Sequence, residues 1–292
     1  MQNSINKIMY NLVFFFLTAF CLAQTPDVFR LEYTLLPEND AEVSLSRIKL
    51  VANYPITLKD SSNIIIGSEY NRIVYDVDRD LGFANEGFNL LHVLDVNLAY
   101  VHKHNAEWRY IGVVTPRLAS TLTNPLENGD FSVNVTAGAF RDRRNIDKPS
   151  RLVFGLTYNS SVKLRVPLPI VYYEKQFTPK WAYVVGVPKM AVRYEPKKNN
   201  TFQLEFILDG YFVNLQNSLV VSNTDLASSI SSSAALVTLG YQYNFTKEMS
   251  VYAYGGHTLF QNSVLNDNDR NDIFTLNEEP SFYFRTGFRI GI

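Results

Sequence analysis

Four histidines are the residues in this chain whose chemistry would be easiest to recruit, and their spacing decides what they can do. His102 and His104 stand two apart, so on an extended strand they share one face, as metal ligands would. A metal site needs more ligands than two, and these flank Lys103 beside Asn105 in a polar segment that reads as a tight turn. The sequence therefore assigns no metal. A serine hydrolase needs a serine within hydrogen-bond reach of a histidine that a third group orients. No serine lies within three residues of His92, His102, His104 or His257, and there is no Gly-x-Ser-x-Gly elbow. No catalytic residue is assigned, the chain is read as a non-enzyme, and no cofactor is expected. His92 falls in the lipid-facing register of its strand near an interface, and His257 in the lumen register.

The charged residues are more informative, because of what they alternate with. At the C-terminal end Phe282, Phe284, Phe288, Ile290 and Ile292 share one face, interrupted only by Thr286. Ser281, Tyr283, Arg285, Gly287, Arg289 and Gly291 share the other. Successive side chains of a strand point to opposite faces, so one ribbon carries an oily strip backed by a cationic one. Lipid on one side and water on the other accommodate such a ribbon, and closure into a barrel removes its edge. The same period recurs upstream. Leu90, Leu94, Val96, Leu98 and Tyr100 oppose Asp95, Asn97 and Ala99, and Phe202, Leu204, Phe206 and Leu208 oppose Gln203, Glu205 and Asp209. Charges facing lipid cost about 2–4 kcal/mol for Arg or Lys at the midplane. Glu69, Asp95, Arg109, Glu205, Asp209, Arg285 and Arg289 are accordingly expected to line the lumen. They either pair across the interior and seal it or border a polar, ion-selective path, and the sequence leaves both open.

Helical spacing is sustained nowhere in the mature chain. The strands are joined by tight turns at Lys59–Asn63, His102–Ala106 and Phe245–Met249. Long polar connections are read at Asp76–Gly87, Leu122–Asp130, Gln216–Ser232 and Asn262–Pro280. Short turns on one rim and long loops on the other is the outer-membrane arrangement. Tracing strand parity from both ends conflicts between Val166 and Asn200, a stretch broken by Pro167, Pro169, Pro179, Pro188 and Pro196. Twelve strands are predicted, with fourteen as the alternative.

Composition agrees with a membrane address. Lys7, then an apolar stretch from Ile8 to Leu22, then Cys21-Leu22-Ala23 read as a signal peptide over residues 1–23, cleaved before Gln24, leaving 24–292 as one barrel domain. Cys21 is the one cysteine, so the mature chain has no disulfide and no Cys-based zinc site. With 27 Lys+Arg against 28 Asp+Glu there is no basic field for nucleic acid. Aromatic residues make up 14%, with 20 Phe and 18 Tyr, which suits strands and interfacial girdles.

Several short runs carry a resemblance: Pro167-Leu168-Pro169-Ile170-Val171-Tyr172-Tyr173, Lys180-Trp181, Gly186-Val187-Pro188-Lys189, Leu208-Asp209-Gly210-Tyr211 and the terminal strand. With the signal peptide, they make the chain resemble an uncharacterised family of small outer-membrane β-barrel proteins of Gram-negative bacteria, grouped as a domain of unknown function. The resemblance implies fold and address and brings no catalytic or binding residues. The chain departs from many outer-membrane proteins in ending on Ile292 rather than an aromatic, with Phe288 close by.

The fold expected is thus an all-β, antiparallel transmembrane barrel in the outer membrane. The function expected is a passive narrow pore or a structural surface protein. Alternatives are a binding module acting through its long loops, and an outer-membrane lipid hydrolase. The partners expected are outer-membrane lipid and lipopolysaccharide and, during biogenesis, the barrel-insertion machinery. No nucleic acid is expected, and the barrel is expected to be a monomer.

Overall fold

The computed structural model describes residues 27–84, 87–144, 146–159, 166–222 and 225–291. The expected signal peptide lies outside these residues. Fifteen strands follow one another among them. The first seven are β1 (Phe29–Leu36), β2 (Val43–Thr57), β3 (Asn63–Val77), β4 (Leu90–Lys103), β5 (Trp108–Ser120), β6 (Phe131–Arg143) and β7 (Ser150–Tyr158). Next come β8 (Leu168–Thr178), β9 (Trp181–Val187), β10 (Lys189–Lys197) and β11 (Asn200–Val220). The series ends with β12 (Leu226–Asn244), β13 (Met249–Asn266), β14 (Asp272–Asn277) and β15 (Phe282–Ile290).

Each strand from β1 to β13 pairs antiparallel with the next, β13 pairs with β15, and β15 pairs with β1, closing the ring. Strand β14 pairs only with the upper end of β13. The ring therefore has fourteen strands, the alternative count rather than twelve. The parity conflict resolves because β8 is a full wall strand despite Pro169, while β9 and β10 form a short hairpin that turns at Pro188.

Alternation fixes which face meets which solvent. On β4, Leu94, Val96, Leu98 and Tyr100 point outward and are exposed, while Val93, Asp95 and Ala99 point inward and are buried. The same oily exterior runs through Leu31, Ile66, Leu204 and Leu239. Its lower border is aromatic: Trp181 packs on Tyr194 at 4.6 Å between ring centroids, and Phe202 on Tyr241 at 5.1 Å. Its upper border carries Arg72 and His92, paired across β3 and β4, with the Tyr70 hydroxyl 2.8 Å from His92 Nδ1. An apolar band with an aromatic girdle is the exterior of a transmembrane barrel.

The tight turns share one device. A short polar side chain accepts the backbone N–H groups that strand pairing leaves free. Asp60 accepts from the Ser62 N–H at 3.0 Å, and Asn105 from Glu107 and Trp108 at 2.9 and 2.8 Å. Thr178 accepts from Trp181 at 3.1 Å, and Thr246 from Met249 at 3.0 Å. All these turns lie on the rim that also holds the two ends of the ring, Phe29 and Ile290.

The opposite rim differs from expectation. Gln216–Ser232 and Asn262–Pro280 are not mainly loops: β11 runs on to Val220, β12 begins at Leu226, β13 reaches Asn266, and β14 follows. At 21 residues, β11 is about twice the 9–11 that span a bilayer. Its upper half leaves β10 after Ile207 and crosses to β5, where Asn214 and Ser120 pair in parallel. The upper ends thus draw together over the lumen. There Ile73, Phe88, Leu91, Val213, Ile230 and Leu265 pack into an apolar core closing this end of the barrel. Burial of that core, at about 25 cal/mol per Å² of apolar surface, holds the extended ribbons in place of solvated loops.

Candidate functional site

Below the apolar core lies a cavity of about 1100 Å³, reaching down to the short-turn rim. That is at the upper limit of small-molecule sites, which run about 300–1,000 Å³. Its lining comes from inward positions of nearly every strand, which period-two alternation places there without special geometry.

Six of the seven predicted lumen residues line it: Glu69, Asp95, Glu205, Asp209, Arg285 and Arg289. Arg109 does not. It sits at the short-turn end of β5 with its guanidinium over the Phe140 ring, 5.7 Å from the centroid, so its inward parity is spent on packing at the rim.

The deep half is a set of ion pairs between strands. Arg47 of β2 binds Asp209 of β11 through two nitrogens, at 2.7 and 3.3 Å, spanning the lumen beneath the apolar core. Lys49 lies 3.1 Å from Glu69, and Arg117 3.1 Å from Asp95. Glu205, 1% exposed, is the hub: it receives Lys189, Gln203 and Arg285 (2.7 Å). Arg285 also approaches Glu32 at 3.9 Å. These ten charges cancel, five of each sign.

Two tyrosines complete the wall, and they correct the expected register of β13. Tyr252 and Tyr254 face inward and Val251, Ala253 and His257 outward, so His257 is not in the lumen. Its ring packs edge-on to Phe282 at 5.2 Å. Inside, the Tyr252 hydroxyl donates to Glu32 at 2.7 Å, and Arg285 lies over the Tyr254 ring, 4.4 Å from its centroid. Tyrosine reads as apolar in a pattern, yet its hydroxyl and ring face find better partners among buried charges than in lipid.

Taken over the whole cavity, thirteen Lys and Arg face nine Asp and Glu. Since the deep pairs cancel, the cationic excess lies toward the short-turn mouth. Lys180, Lys198 and Lys247 line it there, with Arg144, Arg193 and Arg289 nearby. Of these, Arg193 is held by Glu174 at 2.6 Å. Sequence reasoning passed over Arg47, Lys49 and Arg193. The alternation of Val43–Thr57, with Arg47 and Lys49 opposing Ile48 and Leu50, carried the signal for the first two.

The histidine sites resolve into packing. His102 and His104 flank the Tyr110 ring, at 6.5 and 5.4 Å between centroids. Folding does bring a serine near a histidine: Ser62 Oγ lies 3.4 Å from His102 Nδ1. That serine is wholly buried, donates its proton to Asp60 at 2.9 Å, and accepts the Lys103 N–H at 3.2 Å. A nucleophile must be reachable and must give its proton to the histidine, so the contact is a turn fastening.

Comparison with known proteins adds the following. No curated protein matches the chain. Among solved structures it is similar to the NanC porin, at 9% identity and a TM-score of 0.38, covering 90% of this chain and 100% of that one. It is similar to the KdgM porin in complex with disordered oligogalacturonate, at 10% identity and 0.36, covering 90% and 99%. It is also similar to LpxR from Salmonella typhimurium, at 8% identity and 0.39, covering 90% and 100%. The family model described as Domain of unknown function (DUF6268) matches residues 42–291, nearly all of the ring, and the chain belongs to that family.

Proposed function

We propose that the protein is an outer-membrane barrel serving as a narrow, anion-preferring pore, with its outer end closed in this structure. Its short-turn rim faces the periplasm and its extended ribbons face outward. The observation that carries the reading is the cavity with thirteen cationic against nine anionic side chains. Uncompensated positive charge between low-dielectric walls lowers the energy of a passing anion and raises that of a cation. The upper half of β11 and the apolar core are the closing element, and β11 is fastened across the mouth by its contact with β5. A hydrolytic role has less support, because the serine beside His102 is buried and gives its proton to an aspartate.

Purified protein in planar bilayers under a potassium chloride gradient tests this. Discrete steps with a reversal potential shifted toward that of chloride are expected. They should be more frequent in Asp130→Asn, because the Asp130 carboxylate holds Asn214 and Gln216 of β11 at 2.8 and 2.6 Å. Cation preference contradicts the reading, and so does silence in both proteins after verified insertion.

A further inference from the structure

The mouth of the cavity has an order that a merely cationic wall would not need. Three consecutive short turns (β8–β9, β10–β11 and β12–β13) each carry one lysine: Lys180, Lys198 and Lys247. The turns are tied edge to edge. The Glu195 N–H donates to the Lys180 carbonyl at 2.8 Å, and the Asn244 N–H donates to the Asn199 carbonyl at 2.9 Å. All three lysines line the cavity, and none forms an ion pair among the described residues. Two acids stand on this arc: Glu195, 3.7 Å from Arg193, and Glu248, whose carboxylate accepts the Thr246 hydroxyl at 3.1 Å. Asn199, Gln242 and Thr246 line the same stretch and add neutral hydrogen-bonding groups.

Deeper in, the cations are matched by carboxylates, as the Arg47–Asp209 and Lys49–Glu69 pairs show. Three unmatched ammonium groups on one continuous arc leave a requirement for several negative charges at once. A monovalent ion engages one lysine at a time, whereas a solute with several anionic groups engages the arc together and gains from linkage.

We propose that this arc is a binding site for a soluble multivalent anion bearing several phosphate or carboxylate groups, taken up from the short-turn side. The proposal rests on the anion-preferring reading of the cavity and names the class of solute that the cavity receives. Lysine suits the task, since its ammonium is a mobile point charge that adapts to varied anion geometry. The three lysines border the cavity at its open, turn-bearing end, where a dissolved ligand enters, whereas a lipid headgroup would approach from the outer face.

Calorimetric titration of the folded barrel in zwitterionic micelles with inorganic tripolyphosphate is the test, with citrate as the carboxylate arm. Binding that weakens with added salt is expected. The triple variant Lys180→Ala/Lys198→Ala/Lys247→Ala should lose about tenfold or more in affinity. The double variant Lys59→Ala/Lys103→Ala, in the β2–β3 turn and at the end of β4 and outside the cavity lining, should bind as the parent does. Heat-modifiable gel mobility confirms that each variant is folded. Equal binding by the triple variant, an equal loss in the double variant, or displacement by phosphatidylglycerol added to the micelles overturns the proposal. The titration needs no current: binding with silent bilayers sinks the pore and leaves the site, and anion-selective current without binding does the reverse.

Discussion

The ring of Tyr254 on β13 fills the space where Gly240 on β12, its partner across the ladder, would otherwise carry a side chain. Tyr252 makes the same arrangement with Gly287 of β15. The two glycines are what allow two large rings to lie flat inside the wall. An aromatic over a cross-strand glycine restores the packing that glycine lacks. Gly240→Val should therefore displace the Tyr254 ring and cost about 1–3 kcal/mol by overpacking. A lower urea midpoint for unfolding from micelles, with the slope unchanged, is the expected observation. An unchanged midpoint means that the ring has somewhere else to go.

The Arg47–Asp209 pair closes the cavity ceiling and joins strands that are not neighbours in the ring. Arg47→Met leaves Asp209 without its partner and should cost roughly 1–3 kcal/mol, given that Asp209 keeps some contact with water. The double change Arg47→Met/Asp209→Leu should recover most of that loss, because no charge is then stranded. Chemical denaturation of the four proteins in a mutant cycle checks this; additive losses mean that the two residues do not act as a pair.

Asp130 sits above the membrane band, as the last residue of a 3-10 turn (Asn128–Asp130) that fastens β11. Its carboxylate accepts from Asn214 at 2.8 Å, from Gln216 at 2.6 Å and from the Glu127 N–H at 2.8 Å. Burial works to raise its pKa, but these hydrogen bonds and one from Ser120 outweigh it and hold the group below the usual carboxylate range. A carboxyl depressed on folding contributes stability above its unfolded value of about 3.9. That contribution is lost as pH falls through the lower folded value. Amide protection at Thr121–Phe131, taken relative to the intrinsic exchange rate at each pH, should fall in that acid window, and in Asp130→Asn it should be low at every pH with the acid step removed. Protection that does not change with pH in the parent contradicts the assignment.

The sequence made the wall legible wherever one face was plainly oily and the other plainly polar, as from Leu90 to Tyr100, and it placed six lumen charges by parity alone. It failed where side chains are amphipathic. Tyr252 and Tyr254 count as apolar in a pattern, while their hydroxyl, ring face and glycine partners lie across a strand boundary that no single segment displays. The serines from Ser228 to Ser233 look like loop, but they occupy a paired ribbon whose inner face presents Ile230 to the core. Prolines near β8, β9 and β10 look like ladder breakers. Pro169 faces outward on β8 and Pro188 forms the turn of a hairpin, so neither removes a strand from the ring. The closing of the outer end could not be read at all, because it depends on where β11 meets β5, 94 positions apart at Asn214 and Ser120.

The central claim is that hydrocarbon meets one face of each ribbon and water the other. Spin labels placed one at a time on cysteines substituted from Leu94 to Ala99, in protein reconstituted into vesicles, test it directly, since the described residues contain no cysteine. Labels at 94, 96 and 98 should be relaxed strongly by oxygen and weakly by a polar nickel complex, and labels at 95, 97 and 99 the reverse. Equal access of the nickel complex to both sets, or protection of the even set from both agents, would contradict the account.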